Sequence, residues 1–410
     1  MDNSMHNSAN PTAQPAALET LRVLELGSFI AGPFCGRLFA DYGADVIKIE
    51  PPGKGDPMRR WGVADYQGQS LWWPSIARNK RAITLDLRQA SGQEIFKKLV
   101  ASADIIVENF RPGTLEGWGL GYEVLQAIHP GLIMVRISGF GQSGPYRDKA
   151  GFGSVAEAMG GLRYSMGYPD RPPPRVGISL GDSLAAMFGV IGGLAALQHR
   201  QQSGRGQMVD VALYEAVFAL MESSLTEFMK VGALRERSGT ILPGVAPSNL
   251  YPTQDGKWLQ IGANADAVWR RLALLIGGEA LADDPRYASH EARGQHQAQL
   301  DTLIARWTAE QPLEQLLEQL DSAAVPAGSI YSMADIVDDI HYRHREMLVE
   351  IQDKQLGSLH MPGIVPKLSA TPGRVAWAGP ALGEHNLQIY RELLGMTEEE
   401  YQQLQAQGVL

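Results

Sequence analysis

The chain has 410 residues, of which 44% are hydrophobic and 20% charged. This balance excludes an intrinsically disordered chain, and the length admits two or three compact units. Acidic residues outnumber basic ones 45 to 36, a net charge of −9, so the basic surplus that a non-specific nucleic-acid binder needs is missing.

Residues 1–19 are polar and read as a disordered tail rather than a signal peptide. Residues 21–26 then read as a buried strand, 32–42 as a helix and 45–50 as a second strand. Strand, helix, strand is a right-handed crossover unit and calls for a parallel sheet. Further strands are expected at 82–85, 103–107 and 132–138, with an amphipathic helix at 91–102. The pattern predicts an α/β fold with a doubly wound parallel sheet. An apolar run follows at 183–197, too short for a bilayer, which takes about 20 residues. One helix is expected over 209–231, then a Gly/Pro-rich boundary at 233–249. Beyond it lie a strand at 258–261, helices at 266–275 and 297–320, and a last helix at 387–394. The expected division is a tail (1–19), a large domain (20–232), a small domain with its linker (233–330) and a C-terminal segment (331–410).

The turn Gly27–Pro33 leads into a helix N-terminus, where free N–H groups and the helix dipole favour an anion. Glu50 stands where a dinucleotide fold puts its ribose-binding acid, but the turn lacks the G-x-G-x-x-G spacing. That spacing occurs at Gly139, Gly141 and Gly144, after a late strand and before Pro145, so it does not make a dinucleotide site. Arg59, Arg60, Arg78, Lys80, Arg81 and Arg111 could hold a phosphorylated ligand or form a solvated face. Asp182 opens the apolar helix and could be a plain N-cap or a nucleophile toward an activated acyl group. Ala185, Gly189 and Gly193, four residues apart, suit a close approach of another backbone. Cys35, the single cysteine, fits core packing and a reducing, cytoplasmic setting. His341 and His344 with Asp338 and Asp339 read as an exposed helix end rather than a metal site.

Taken together, several ordered strings resemble the class III CoA-transferases, the family of the formyl-CoA:oxalate and carnitine CoA-transferases. They are GSFIAGPFCGRLFADYGADVIKIEPPGKGD (27–56), ARNKRAITLDLR (77–88), IIVENFRPG (105–113), ISGFGQSGPYRDKAG (137–151) and GISLGDSLAAMFG (177–189). VPAG (325–328), KLSATPG (367–373) and PALGEHN (380–386) match as well. The resemblance implies a large doubly wound domain, a smaller α/β domain inserted late in the chain, and an interlocked homodimer. It implies that Asp182 is the catalytic carboxylate, forming an aspartyl–acyl anhydride and then an aspartyl-CoA thioester. Its CoA contacts carry over to Ile30 and Ala31, to 85–88 with Leu85 and Arg88, to Asn109, Phe110 and Arg111, and to Lys149.

Two positions depart from the family pattern, Pro51 and Gly117, where some members have basic residues; Lys54, Arg59 or Arg78 could substitute. The resemblance implies a CoA thioester as substrate and no permanently bound cofactor or metal. It implies a carboxylic acid and a second copy of the chain as partners, with neither nucleic acid nor membrane. Racemases of the same fold place a His-Asp pair just after the position of Lys149; here Ala150, Gly151, Phe152 and Gly153 follow. The stretch 238–244 is not the four-glycine lid of the oxalate enzymes. The string around Asp182 looks more like members that move CoA from succinyl-CoA to glutarate, malate, itaconate or citramalate. Arg37, Arg163 and Arg175 are candidates for a distal carboxylate.

Overall fold

Short apolar strands separated by helices can bury both faces only in a parallel sheet covered on each side. A computed structural model, describing residues 15–63 and 65–410, has that arrangement. Six strands, β1 (Arg22–Glu25), β2 (Asp45–Glu50), β3 (Arg81–Thr84), β4 (Ile105–Glu108), β5 (Ile133–Ser138) and β6 (Met208–Ala212), form one sheet. Their order is β3-β2-β1-β4-β5-β6, and every pairing is parallel. The strand order reverses between β1 and β4, which makes their carboxyl ends the topological switch point.

Alternate residues of each strand serve opposite faces. Leu24, Ile47, Ile83 and Ile106 pack with α2 (Ala90–Val100). Val23, Val46, Ile105 and Val135 pack with α1 (Ala31–Asp41), and α4 (Leu180–Ser203) closes that same face. The Ala185, Gly189, Gly193 row does bring a close approach, but to this chain's own α1 and β5. A Cβ at Gly189 would lie 3.2 Å from Cys35 Sγ and 3.1 Å from Val135; one at Gly193 would lie 3.0 Å from the Phe39 ring. Cys35 is fully buried, and burial and Glu25 push its thiol far up. At 24 residues α4 outruns the apolar run read from the sequence, and by length and hydropathy alone it would reach across a bilayer. One of its faces is core, with Ala185, Ala186, Gly189 and Gly193 all buried.

Several sequence expectations need correction. Residues 209–231 are not one helix. Residues 208–212 alternate V-D-V and pair with β5 as the edge strand β6, and two short helices follow, α5 (Leu213–Phe218) and α6 (Ser224–Val231). Glu222 separates them at φ 49°, a conformation a helix cannot contain. Pro312 splits the expected 297–320 helix into α8 (Gln297–Ala309) and α9 (Leu313–Ser322). The last expected helix is present but wound wider than an α-helix, as a π-helix at Gln388–Leu393, and a further helix, α10 (Glu398–Ala406), closes the chain under a Thr397/Glu400 capping box. Of the expected tail, residues 1–14 lie outside the described residues. Leu18 packs on the core and its N–H donates to Tyr42 O, so residues ahead of position 20 already belong to the large domain.

The described chain divides into two compact units, 15–162 with 176–222 and 341–410, and 163–175 with 223–340. The boundaries fall near 222 and 340 rather than 232 and 330, and 163–175 joins the second unit. That unit carries a three-stranded antiparallel sheet of β7 (Ser248–Pro252), β8 (Trp258–Gly262) and β9 (Ala327–Ser329). It packs on α7 (Asp266–Ala282), α8 and α9 through Tyr251, Leu259, Trp269, Leu300 and Leu316. Within the first unit the C-terminal segment covers the outer edge of β3. His385 Nδ1 accepts from Ala82 N at 3.1 Å, Asn386 Oδ1 from Thr84 N at 2.9 Å, and Tyr390 Oη donates to Thr84 O at 2.6 Å. PALGEHN is thus a cap for a sheet edge.

Candidate active site

The turn after β1 is held from beneath by buried charges. A lysine in the middle of an apolar parallel strand needs counter-charges, and Lys48 of β2 has them: Glu25 at 2.9 Å and Asp56 at 2.8 Å, with Gly27 O accepting a third bond. Lys80 pairs with Glu25 at 2.6 Å and donates to Pro33 O, and Arg59 forks onto Glu50. Burial alone would lower Lys48, yet Asp56, Glu25 and Glu50 hold it above the ordinary lysine range. Three acids and three bases therefore balance under the turn. Asp56 Oδ1 then accepts from Phe29 N at 3.1 Å.

This network corrects two readings. Glu50 is engaged by Arg59 and by Asp56 N at 2.8 Å, so it is not a ribose acid. Four members of the basic cluster, Arg59, Arg78, Lys80 and Arg81, are taken up by carboxylates and form no phosphate cradle, whereas Arg60 and Arg111 are exposed. Arg78 grips Asp41, Arg81 pairs with Asp45, and Arg59 is bound to Glu50 and lies 3.7 Å above Trp73. Of the proposed substitutes for Pro51 and Gly117, only Lys54 is exposed. Arg37 pairs with Asp41 and stands below the ordinary arginine range, at about 10, through burial and the nearby Arg78. Arg163 and Arg175 belong to the second unit, as does the 238–244 loop, where Ser238 Oγ donates to Ile241 O.

A cavity of about 210 Å³ opens at the carboxyl ends of β1, β2, β3 and β4. Gly27, Leu85, Leu87, Arg88, Phe110 and Trp118 line it. Phe110 and Trp118 meet edge to face with ring centroids 5.5 Å apart. Arg88 is 69% exposed and its head is steered by Asp86 at 2.8 Å. Arg111 and Lys149 are both exposed and are brought together by the loop after β5, since Arg111 Nη2 donates to Asp148 O at 2.8 Å. Lys149 Nζ lies 3.4 Å from the centre of the Tyr146 ring. Ile30 and Ala31 begin α1, whose N-terminus has no side-chain cap. Among the described residues no three His, Cys, Asp or Glu side chains gather to hold a metal.

Asp182 is the third residue of α4; Ser179 holds the N-cap position, so the plain N-cap reading is set aside. The carboxylate is half-buried in the helix's first turn, where the dipole favours its charge. Facing it is the bare Cα of Gly153, the first residue of α3 (Gly153–Met159). A Cβ there would run into Asp182 Oδ2. The G-x-G-x-x-G loop sets this up: Gly139 and Gly151 pack back to back, Ser138 Oγ caps Gly141 N at 3.0 Å, and Asp210 takes Gln142 N. Glu157 of α3 is fully buried and accepts from Gly181 N at 3.3 Å, fixing α3 to the start of α4. The contacts Cys35–Gly189 and Phe39–Gly193 run in the same direction along α1 and α4. The helices are therefore parallel, and Asp182 and the Gly27–Ala31 turn stand at the same end of the sheet.

Sequence reading missed Gly153, Trp118, Glu157 and the Lys48–Asp56 pair. Lys48 inside DVIKIE carried a signal, because a charge within a buried strand requires partners further along the chain. Trp118 and Gly153 carried none, since their roles arise from loops folding back.

A cavity of about 210 Å³ at the switch point, lined by two aromatic rings, with the Asp182 carboxylate at the same end of the sheet, suits acyl transfer from a thioester whose tail carries a planar base. The chain belongs to CoA-transferase family III, whose family model matches residues 18–386. It is 58% identical, over 97% of its length and 98% of the relative's, to the succinyl-CoA–D-citramalate CoA-transferase of Chloroflexus aurantiacus. It is 40% identical, over 97% and 99%, to the beta subunit of the succinyl-CoA–L-malate CoA-transferase of the same organism. The crystal structure of a CAIB/BAIF family protein from Brucella suis superposes with a TM-score of 0.82 at 34% identity, covering 93% of this chain and all of that one.

Proposed function

We propose that this enzyme moves CoA from succinyl-CoA to a dicarboxylate, D-citramalate, through covalent intermediates on Asp182, acting as an interlocked cytoplasmic homodimer. The observation that supports the mechanism is the seat of Asp182, a half-buried carboxylate in a helix's first turn packed against the Gly153 backbone. The 58% identity across the chain supports the substrates.

Asp182 attacks the thioester carbonyl, the C–S bond breaks, and CoA leaves as thiolate. The thiolate attacks the Asp182 carbonyl of the resulting anhydride and succinate departs, leaving an aspartyl-CoA thioester. The acceptor carboxylate attacks that thioester and again releases the thiolate. The thiolate then attacks the acceptor's carbonyl and frees Asp182. Each step exchanges one acyl bond for another, so the thioester's energy is kept provided water stays out. The cavity takes the adenine against Phe110 and Trp118, and Arg88, Arg111 and Lys149 meet the phosphates. The stretch Ala150–Gly153, where the racemases place their proton-transferring pair, has no histidine, which disfavours that alternative.

Purified protein with succinyl-CoA and a panel of carboxylates, followed by mass spectrometry of the CoA esters, tests this reading. Wild type should form the acceptor's CoA ester and a covalent CoA adduct of the protein. Asp182→Asn should lose at least about 1,000-fold in exchange while still binding CoA. Equal exchange by Asp182→Asn would reject the nucleophile, and a CoA-binding wild type without exchange would make the chain a scaffold.

A further inference from the structure

Asn109 sits at the switch point, directly after β4, and the family pattern makes it a direct CoA contact. Its side chain is otherwise engaged. Oδ1 accepts from Ser28 N at 2.7 Å, and Nδ2 donates to Ser28 O at 2.9 Å. One amide thus takes both polar groups of one residue's backbone, as a neighbouring strand would. The residues on either side are also held: Lys48 donates to Gly27 O, and Asp56 accepts from Phe29 N. Four successive backbone groups of a three-residue turn are therefore satisfied by side chains from β2, the loop after it and the loop after β4.

The turn needs this support. Phe29 lies at φ 62°, a left-handed conformation that a bulky aromatic residue rarely adopts. Gly27 and Gly32 close the base of the turn so tightly that a Cβ on Gly27 would lie 2.7 Å from Gly32 Cα and 3.0 Å from Asn109 Oδ1. The strain is held just where the chain enters the uncapped start of α1, at Ile30 and Ala31.

We infer that Asn109 is a positioning residue: with Lys48 and Asp56 it holds the 27–29 turn in its left-handed form and so presents Ile30, Ala31 and the start of α1 to the CoA ester, without touching that ester through its own amide. This rests on the reading of the turn as part of the CoA seat. It separates Asn109 from its neighbour Phe110, whose ring lines the cavity.

A double-mutant cycle on the full-length protein tests the inference, with CoA affinity read by calorimetry and folding by thermal melting. Glycine takes positive φ without penalty, so Phe29→Gly removes the strain that Asn109 opposes. In the wild-type background Asn109→Ala should weaken CoA about 10-fold, and in the Phe29→Gly background by no more than about threefold. Asn109→Asp, which keeps the acceptor for Ser28 N and loses the donor to Ser28 O, should fall between. With saturating succinyl-CoA, kcat should stay within about threefold of wild type, so the loss appears in KM. The same loss in both backgrounds, with wild type binding CoA, would overturn the positioning role and restore direct contact. Failure of wild type to bind CoA at all would overturn the CoA-seat reading and this inference with it. Should Asn109→Ala melt before binding can be read, the Asn109→Asp arm of the same cycle decides, and an unchanged loss there overturns the role equally.

Discussion

At the scale of single residues, the absence of a side chain at 153 matters as much as the presence of one at 182. Gly153 gives the Asp182 carboxylate room that any L side chain would take. Gly153→Ala should therefore displace the carboxylate and lower kcat by at least about 10-fold, because misplacing a reacting group by about 1 Å can cost two orders of magnitude. CoA affinity should stay near wild type, since the 27–31 turn and the cavity lie on other loops. Steady-state kinetics beside calorimetry checks this. A raised Kd with unchanged kcat would show that Gly153 serves the ligand instead. A further residue-level lesson is the fate of the cations. Arg59, Arg78, Lys80 and Arg81 looked like a phosphate site in the sequence, but burial forces each to find a carboxylate.

At the scale of elements, β3 illustrates how an edge strand is finished. Its outward N–H and C=O groups at Ala82 and Thr84 are met by residues 385–390, some 300 positions away. Asn386→Ala leaves Thr84 N without its acceptor and should cost about 1–3 kcal/mol of unfolding free energy, measured by urea titration. His385 makes the cap pH-sensitive. Burial lowers its pKa, with Arg81 and Lys354 adding to the effect against the pull of Glu384. A base with a depressed folded-state pKa contributes stability above its unfolded value of about 6.5, and loses it as pH falls through the folded value. Protonation also removes the Nδ1 acceptor of Ala82 N. Wild type should thus lose more stability between about pH 7 and pH 5 than His385→Asn, whose amide oxygen keeps an acceptor and does not titrate. Identical slopes would remove His385 from the account.

At the scale of the whole molecule, α4 has two characters. Its inner face is made of small buried residues against α1 and β5, while Met187, Ile191 and Leu194 on the outside are 49%, 59% and 42% exposed. An apolar row of that kind on a helix at the centre of a fold calls for a cover. The proposed homodimer supplies one. Ile191→Glu should therefore shift the mass seen by light scattering or sedimentation from dimer toward monomer, with loss of exchange activity. A dimer of unchanged stability would place the interface elsewhere.

The sequence by itself determined the sheet, and its motifs single out Asp182 as the candidate nucleophile. Strands 45–50 and 132–138 were legible because parallel strands are buried on both faces and read as apolar runs, and β2 spans the expected residues. Asp182 stands out in the sequence as a charge at the head of an apolar helix, a pattern that locally fits an N-cap as well, and the family resemblance is what makes it the candidate nucleophile. Tertiary structure decided everything that depends on partners distant in the chain. It turned 208–212 into an edge strand because β5 offered it hydrogen bonds. It bound Arg59, Arg78, Lys80 and Arg81 into ion pairs, and it brought the C-terminal motif to β3. It also turned Asn109 onto the backbone of Ser28, 81 positions earlier. The physical reason is common to all four. Hydrophobic periodicity is local and survives in one dimension, whereas the demand of a buried polar group for a partner is met only where the fold brings distant residues together.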